Sequence, residues 1–129
     1  MGPRFKDKVV LVTGAGSVGP GWGNGRAAAV LFAQEGARVF AVDRAADTMQ
    51  ETLDLIREAR GEVTSHQCDV TNSAAVAAMV QACLEAYGRI DVLVNNVGGS
   101  AAGGPVELSE EAWDAQVDHN LKSVFLTCK

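Results

Sequence analysis

The feature that most constrains this chain is a run of glycines that follows directly on an apolar segment. Residues 9–12 read VVLV, and six glycines then fall between positions 14 and 25, before an alanine-rich segment begins. The pattern predicts a buried strand, a loop and a helix start, a frame that suits phosphate binding at a helix N-terminus. Glycines there allow a sharp turn, close approach of backbone to ligand, and tight packing of helix on strand. Taken alone, the loop favours phosphate binding over an ordinary flexible turn, although such a loop is a weak signal.

An acidic residue further along the chain sets the register of the glycines. A dinucleotide site has an Asp or Glu about 20 residues beyond its glycines, at the end of the second strand, where it binds ribose hydroxyls. Asp43 ends the apolar run RVFAV and lies 18 residues after Gly25. This spacing predicts that residues 18–22 are an insertion relative to the standard motif. The predicted cofactor-binding residues of the loop are Gly14, Ser17, Gly23, Asn24 and Gly25.

Apolar strands and amphipathic helices alternate along the rest of the chain. Strands are predicted at residues 9–12, 38–42, 63–68 and 90–94, with helices between them and a last helix over 109–129. This alternation predicts an α/β fold of three α/β/α layers, with a Rossmann-type, doubly wound parallel sheet in the order 3-2-1-4. The third strand is only partly apolar and suits an edge, whereas the fourth is apolar enough for burial on both faces. A single domain over residues 1–129 is expected.

Composition argues against several classes of protein. Sixteen acidic and eleven basic residues give a net charge of −5, and the basic residues are scattered, so a nucleic-acid partner is not expected. The charged start and the short apolar run behind it resemble neither a signal peptide nor a membrane span, which predicts a cytoplasmic protein. The three cysteines form no C-x-x-C motif, so no metal site is predicted and buried thiols are expected.

Asparagines at two places are candidate functional residues. Asn120 shares the apolar face of the last predicted helix with Trp113 and Val117, and a buried amide needs hydrogen-bond partners. Two explanations are equally weighted: a structural amide, or one that positions water or a catalytic side chain. Asn95 and Asn96 follow the fourth strand, where they either join neighbouring strands or face a ligand.

These motifs together resemble the N-terminal part of the short-chain dehydrogenases/reductases over essentially the whole chain. The family's T-G-x-x-x-G-x-G motif is represented by Thr13 and three glycines of the loop, interrupted by the insertion. Its N-N-A-G motif is present as NNVG at 95–98, and its adenine-contacting pair as DV at 69–70. The segment NLKS at 120–123 matches the stretch with the family's catalytic Asn. The resemblance implies cofactor contacts for Asp69, Val70, Asn95, Val97 and Gly98.

The resemblance also implies hydride transfer between a nicotinamide ring and a small carbonyl or alcohol substrate, with Asn120 in a catalytic role. Asp43 would bind the adenosine ribose and favour NAD, because a carboxylate repels a 2′-phosphate. Arg44 would pair with that phosphate in NADP, the less favoured cofactor. Two alternatives are a non-catalytic dinucleotide-binding module and a methyltransferase that uses S-adenosylmethionine. The Asn95-Asn96 pair argues against the methyltransferase.

The family's catalytic Ser and Tyr-x-x-x-Lys residues have no counterpart in this sequence. Its only tyrosine, Tyr87, belongs to the core stripe of an earlier predicted helix. The sequence therefore predicts the cofactor-binding half of an enzyme, a fragment that is inactive alone. In relatives the helix that corresponds to 109–129 joins a subunit interface, which predicts a homo-oligomer for the parent protein.

Overall fold

The computed structural model describes residues 2–129 and contains a four-stranded sheet with helices on both faces. The strands are β1 (Val9–Thr13), β2 (Arg38–Asp43), β3 (Glu62–Gln67) and β4 (Val92–Val94). The helices are α1 (Asn24–Gln34), α2 (Gln50–Glu58), α3 (Ser73–Tyr87), α4 (Glu110–Val117) and α5 (Ser123–Cys128). A 3₁₀ turn (Asp47–Met49) precedes α2, and a π-helical segment (Asp118–Lys122) joins α4 to α5.

The strand order is β3-β2-β1-β4 and all three pairings are parallel, which confirms the predicted fold class. β1 lies between β2 and β4, with Leu11 opposite Phe40 on one side and Leu93 on the other. The sheet order therefore reverses at β1, and its carboxyl end is where such sheets bind ligands.

Each face of the sheet has its own hydrophobic core. Val10 and Val12 point into the core under α1 and α2, whereas Val9 and Leu11 point into the core under α3. This alternation follows from the two-residue period of a strand, and the continuous apolar run of β1 is explained because both of its faces are covered. Phe40 is almost completely buried in the second core and contributes about 2 kcal/mol of hydrophobic stabilisation.

The fourth strand differs from the prediction in length and in burial. β4 contains three residues rather than five, and all three are only partly buried. The physical reason is that β4 pairs with β1 alone in the described part of the chain. Just before β4, the carboxylate of Asp91 accepts the backbone N–H of Val9 at 2.8 Å. A side chain here takes the place of a backbone carbonyl in the hydrogen bonding between β1 and β4. β3 is the other edge strand, as predicted.

Two other expectations need correction. The last helix was expected to be unbroken over 109–129, but the π-helical segment interrupts it. Cys68 and Cys83 are buried thiols as expected, and burial raises the pKa of Cys83 to about 11, but Cys128 is exposed on α5.

No helix in the described residues is long and apolar enough to cross a lipid bilayer. The cytoplasmic location stays a prediction.

Candidate functional site

A cavity of about 390 Å³ opens over the carboxyl ends of the strands, where the sheet order reverses. Its walls come from the glycine loop, from the residues that end or follow β2, β3 and β4, and from His119 in the π-helical segment. All but two of the predicted site residues line it: Gly14, Ser17, Gly23, Asn24, Gly25, Asp43, Arg44, Asp69, Val70, Val97 and Gly98. The topology brings them together because the carboxyl ends of parallel strands meet at one edge of a sheet.

Two positions of the glycine loop, 14 and 25, require glycine for different reasons. Gly14 has a φ of +63°, in the left-handed region that L side chains rarely adopt. A methyl group on Gly25 would overlap the carbonyl oxygen of Gly14 and lie 2.5 Å from the Nδ2 atom of Asn96. Glycine at position 25 therefore lets the first turn of α1 pack directly on the end of β1.

The N-terminus of α1 is open to the cavity. Its N-cap is Gly23, which has no side chain to accept the free N–H groups of the first turn. By contrast, Asn72 caps α3 and Ser109 caps α4 with side-chain oxygens. The first turn of α1 also contains no acidic residue. This helix end can therefore bind an anion through its N–H groups and the positive end of its dipole.

Hydrogen bonds of Thr13 and Asn96 join the end of β1 to the chain after β4, beside the cavity. The Thr13 hydroxyl donates to the carbonyl oxygen of Val94 at 3.2 Å and accepts the backbone N–H of Asn96 at 3.1 Å. The Asn96 side chain donates to the carbonyl oxygen of Gly14 at 3.1 Å. Asn96 therefore both lines the cavity and holds the neighbouring strands together.

Thr13→Val should destabilise the chain by about 1–3 kcal/mol, because the valine keeps the shape but leaves the Asn96 N–H without its acceptor. Urea unfolding followed by circular dichroism measures the change. Thr13→Ser, which keeps the hydroxyl, is the matched control and should retain most of the stability. Equal stability of the valine and serine variants would contradict a role for this hydroxyl.

Asp43 connects the end of β2 to the glycine loop. One carboxylate oxygen accepts the backbone N–H of Gly16 at 3.0 Å, and the other accepts that of Ala45 at 3.3 Å. The side chain is partly buried and lines the cavity, and the neighbouring Arg44 is exposed on the same wall. Asp43 therefore shapes the loop in addition to presenting an anion to the cavity.

Asp69 supplies a second carboxylate at the end of β3. Hydrogen bonds from the hydroxyl and the backbone N–H of Thr71 lower its pKa, and the charges of Arg44 and His119 lower it further. The carboxylate is consequently ionised at neutral pH. Beside it, Val70 is buried and gives this part of the cavity an apolar surface.

Asn95 does not line the cavity. Its side-chain oxygen accepts the hydroxyl of Thr127 at 2.6 Å, and its amide group lies 3.4 Å from the sulfur of Cys128. It therefore ties the end of β4 to α5. Neighbouring Asn96 takes the cavity-lining position instead, consistent with the alternation of side chains along an extended segment.

Asn120 is exposed, contrary to the buried position expected from its apolar helix face. The reason is that the helical region packs inward with the side that contains Ser123 and Leu126, and Trp113 is 58% exposed as well. The oxygen and both N–H groups of the Asn120 amide nevertheless have partners: the oxygen accepts the N–H of Gly99, and the N–H groups donate to the carbonyls of Gly99 and Gln116, at 2.9–3.0 Å. It does not line the cavity, but His119 beside it does.

Several residues of the site were not found from the sequence. Gly16, Val18, Thr48, Cys68, Asn96 and His119 also line the cavity. Gly16 and Val18 belong to the predicted glycine loop, and Asn96 belongs to the predicted Asn95-Asn96 pair. The other side chains carried no signal, since their place depends on contacts between distant parts of the chain. Among residues 2–129, no three His, Cys, Asp or Glu side chains are grouped to hold a metal ion.

The comparison with known proteins agrees with this arrangement. The sequence model described as "short chain dehydrogenase" matches residues 8–129. The chain belongs to the short-chain dehydrogenase family. Its N-terminal glycine loop, parallel sheet and cavity are therefore those of an oxidoreductase family, and the predicted resemblance is confirmed.

Relatives with assigned activities are similar over almost all of this chain. It is 41% identical over 127 residues to a 3beta-hydroxysteroid dehydrogenase of Mediterraneibacter gnavus, covering 98% of this chain and 44% of the relative. It is 43% identical over 126 residues to a 3-oxoacyl-[acyl-carrier-protein] reductase of Thermotoga maritima, covering 95% and 48%. A crystal structure from Burkholderia xenovorans, assigned to the same family, superposes with a TM-score of 0.96 at 55% identity, covering 98% of this chain and 50% of that one. The chain thus spans about half the length of these relatives.

Proposed function

We propose that residues 1–129 form one NAD-binding unit of an oxidoreductase that transfers hydride between nicotinamide and a small carbonyl or alcohol substrate. The observation that carries the proposal is that one cavity joins an uncapped helix N-terminus to a carboxylate at the end of β2. A dinucleotide needs both features, one for its pyrophosphate and one for its adenosine ribose. Bound NAD would accept or supply the hydride, and the chain's own residues bind and orient it.

The N-terminus of α1 would hold the pyrophosphate. A methyl group at Gly23 would meet only the hydroxyl of Ser17, at 3.9 Å, so the space beside this backbone is open to a ligand. Ser17 and Asn24 line the same part of the cavity and add polar groups around the phosphate oxygens. The free N–H groups of the first turn then neutralise the phosphate charge.

Asp43 would bind the ribose of the adenosine half. Each of its oxygens accepts one backbone N–H, and an ionised carboxylate has further lone pairs for the two ribose hydroxyls. The same negative charge disfavours the 2′-phosphate of NADP. Arg44 lies on the same wall and would favour that phosphate, so the preference for NAD depends on Asp43 outweighing Arg44.

The remaining cavity residues would serve the two ends of the ligand. Asp69 and Val70 offer an anionic acceptor and an apolar surface to the adenine ring, and Val97 and Gly98 line the wall after β4. Asn120 would contribute to catalysis by fixing the loop at Gly99 through two hydrogen bonds. The substrate of the whole protein would be a small carbonyl or alcohol compound.

A second copy of the chain is the proposed protein partner. Trp113, Leu121 and Phe125 are 58–66% exposed along α4, the π-helical segment and α5. Large exposed apolar side chains in one helical region are typical of a protein interface. We therefore propose that the 109–129 helical region takes part in a homo-oligomer.

Calorimetric titration of the chain with NADH, NADPH and S-adenosylmethionine tests the proposed function. We expect NADH to bind with an affinity about tenfold higher than that of NADPH, a difference of about 1.4 kcal/mol. S-adenosylmethionine, which lacks the pyrophosphate, should not bind detectably. Binding of S-adenosylmethionine alone would overturn the dehydrogenase proposal. A chain that binds neither NADH nor NADPH would overturn it as well.

A further inference from the structure

A buried arginine lies behind the glycine loop without lining the cavity. Arg26, in the first turn of α1, is only 2% exposed, and a buried charge is costly unless it is paired and hydrogen-bonded. Its guanidinium donates to the carboxylate of Glu51 at 2.7 Å, the hydroxyl of Thr52 at 3.0 Å and the carbonyl of Thr48 at 3.3 Å. It also donates to the carbonyl of Gly21, inside the inserted loop.

Thr52 holds the other half of the loop. It is completely buried in α2, where its hydroxyl accepts from Arg26 and donates to the carbonyl of Ala15 at 2.8 Å. The hydroxyl has a single proton, so accepting from the guanidinium directs that proton towards Ala15. One pair of side chains therefore fastens both the beginning and the end of the loop to α2.

Backbone contacts seat the loop on the same part of the chain. The N–H of Ala15 donates to the carbonyl of Val42 at 3.0 Å, and that of Ser17 donates to the carbonyl of Thr48 at 3.2 Å. A methyl group on Gly16 would overlap the Thr48 side chain, so the loop lies directly against this segment. The segment from the end of β2 into α2 also contains Asp43, the proposed ribose ligand. The glycine loop and Asp43, the two parts of the proposed dinucleotide site, are thus both held by the segment that runs from β2 into α2.

We propose that Arg26 and Thr52 are positioning residues of the dinucleotide site. They fix the glycine loop on the segment between β2 and α2, so that the N-terminus of α1 and Asp43 keep the separation that one dinucleotide requires. They act through the loop, since neither lines the cavity. This inference rests on the proposed function, because it assigns the two residues to the same nucleotide site.

The insertion explains why such an attachment is needed. Val18 is fully exposed and Trp22 is 65% exposed, so side-chain packing holds the inserted residues weakly. A longer loop has more conformational freedom to lose when it is ordered. The hydrogen bond from Arg26 to Gly21 reduces that freedom before the nucleotide binds, and a preorganised site binds more tightly.

Substitutions at Thr52 test the proposal, and Thr52→Val does so with almost no change in the volume of the core. Thr52→Val removes the hydroxyl, Thr52→Ser retains it, and Ile56→Val is a control one turn further along α2 at an equally buried position. We expect Thr52→Val to weaken NADH binding about tenfold, since the relay to Arg26 and Ala15 is lost. Thr52→Ser should restore the wild-type Kd to within about twofold, and Ile56→Val should leave it unchanged.

The fluorescence anisotropy of Trp22 reports on the loop directly. The chain contains two tryptophans, so Trp113→Phe leaves Trp22 as the single reporter. In that background, Thr52→Val should lower the anisotropy of the nucleotide-free chain, because the hydrogen bonds of the hydroxyl to Arg26 and Ala15 are lost. Arg26→Lys should lower it too, because a lysine lacks the planar guanidinium that reaches four acceptors. Thr52→Ser and Ile56→Val should not lower it. If Arg26→Lys does not fold, the comparison of the Thr52 variants decides the matter.

The results separate the inference from the proposed function. If the wild-type chain binds NADH and Thr52→Val binds it with the same Kd and the same Trp22 anisotropy, the positioning role is wrong. Equal weakening in Thr52→Val and Ile56→Val would also overturn it, because the effect would then be loss of stability alone. If the wild-type chain binds no nicotinamide nucleotide, the proposed function fails, and the anisotropy of Thr52→Val still measures whether the loop depends on this hydroxyl.

Discussion

Replacing Gly25 with alanine should unfold the chain or destabilise it by about 3 kcal/mol or more. The added methyl group would overlap the backbone oxygen of Gly14 and approach Asn96, which holds β1 and β4 together. Backbone atoms at the end of a central strand cannot move aside as the end of a flexible side chain can. Urea unfolding followed by circular dichroism would measure the loss, and calorimetry with NADH would show that binding is lost with it.

Two neighbouring glycines provide the matched controls. At Gly19 no atom lies within 4 Å of an added methyl group, so Gly19→Ala should change the free energy of unfolding by less than about 0.5 kcal/mol. Gly23→Ala should fold normally but bind NADH weakly, because its methyl group would occupy space beside the proposed pyrophosphate. If Gly19→Ala abolished binding and Gly23→Ala did not, the register obtained by counting back from Asp43 would be wrong.

The fold was predictable because it depends on patterns that are local in the sequence. Apolar runs alternating with amphipathic helices determine a parallel sheet, and handedness rules restrict its strand order. The burial of β4 was not predictable in the same way. Its composition suits a central strand, but in the described chain only β1 pairs with it, and composition does not reveal how many neighbours a strand has.

The site was predictable where spacing carries the information. The count from Gly25 to Asp43 selected residues that line one cavity. By contrast, the periodicity around Asn120 shows that it shares an apolar face, but not that the helix packs inward with a different side. Arg26 and Thr52 lie 26 positions apart, and nothing in either segment indicates that their side chains meet. Contacts of this kind arise from packing α1 against α2.

Asp43→Asn should abolish or reverse the nucleotide preference of the site. Loss of the charge removes an ionised acceptor for the ribose hydroxyls and also removes the repulsion of a 2′-phosphate, while Arg44 remains beside it. We expect NADH to bind about tenfold to a hundredfold more weakly, with a much smaller change for NADPH. Calorimetric titration of wild type and variant with both nucleotides measures this. Glu58→Gln, which removes an exposed carboxylate from α2, should alter neither affinity.

The ratio of the two affinities is the informative quantity, because Asp43 has two roles. Its oxygens accept the N–H groups of Gly16 and Ala45, so any substitution disturbs the loop and lowers the affinity for both nucleotides. Asparagine keeps one of those acceptors, which makes it a milder change than alanine. A shift in the NADH to NADPH ratio would arise from the ribose contact and the lost charge. If both affinities fell by the same factor, Asp43 would be an anchor of the loop, and the preference for NAD would have to come from elsewhere in the cavity.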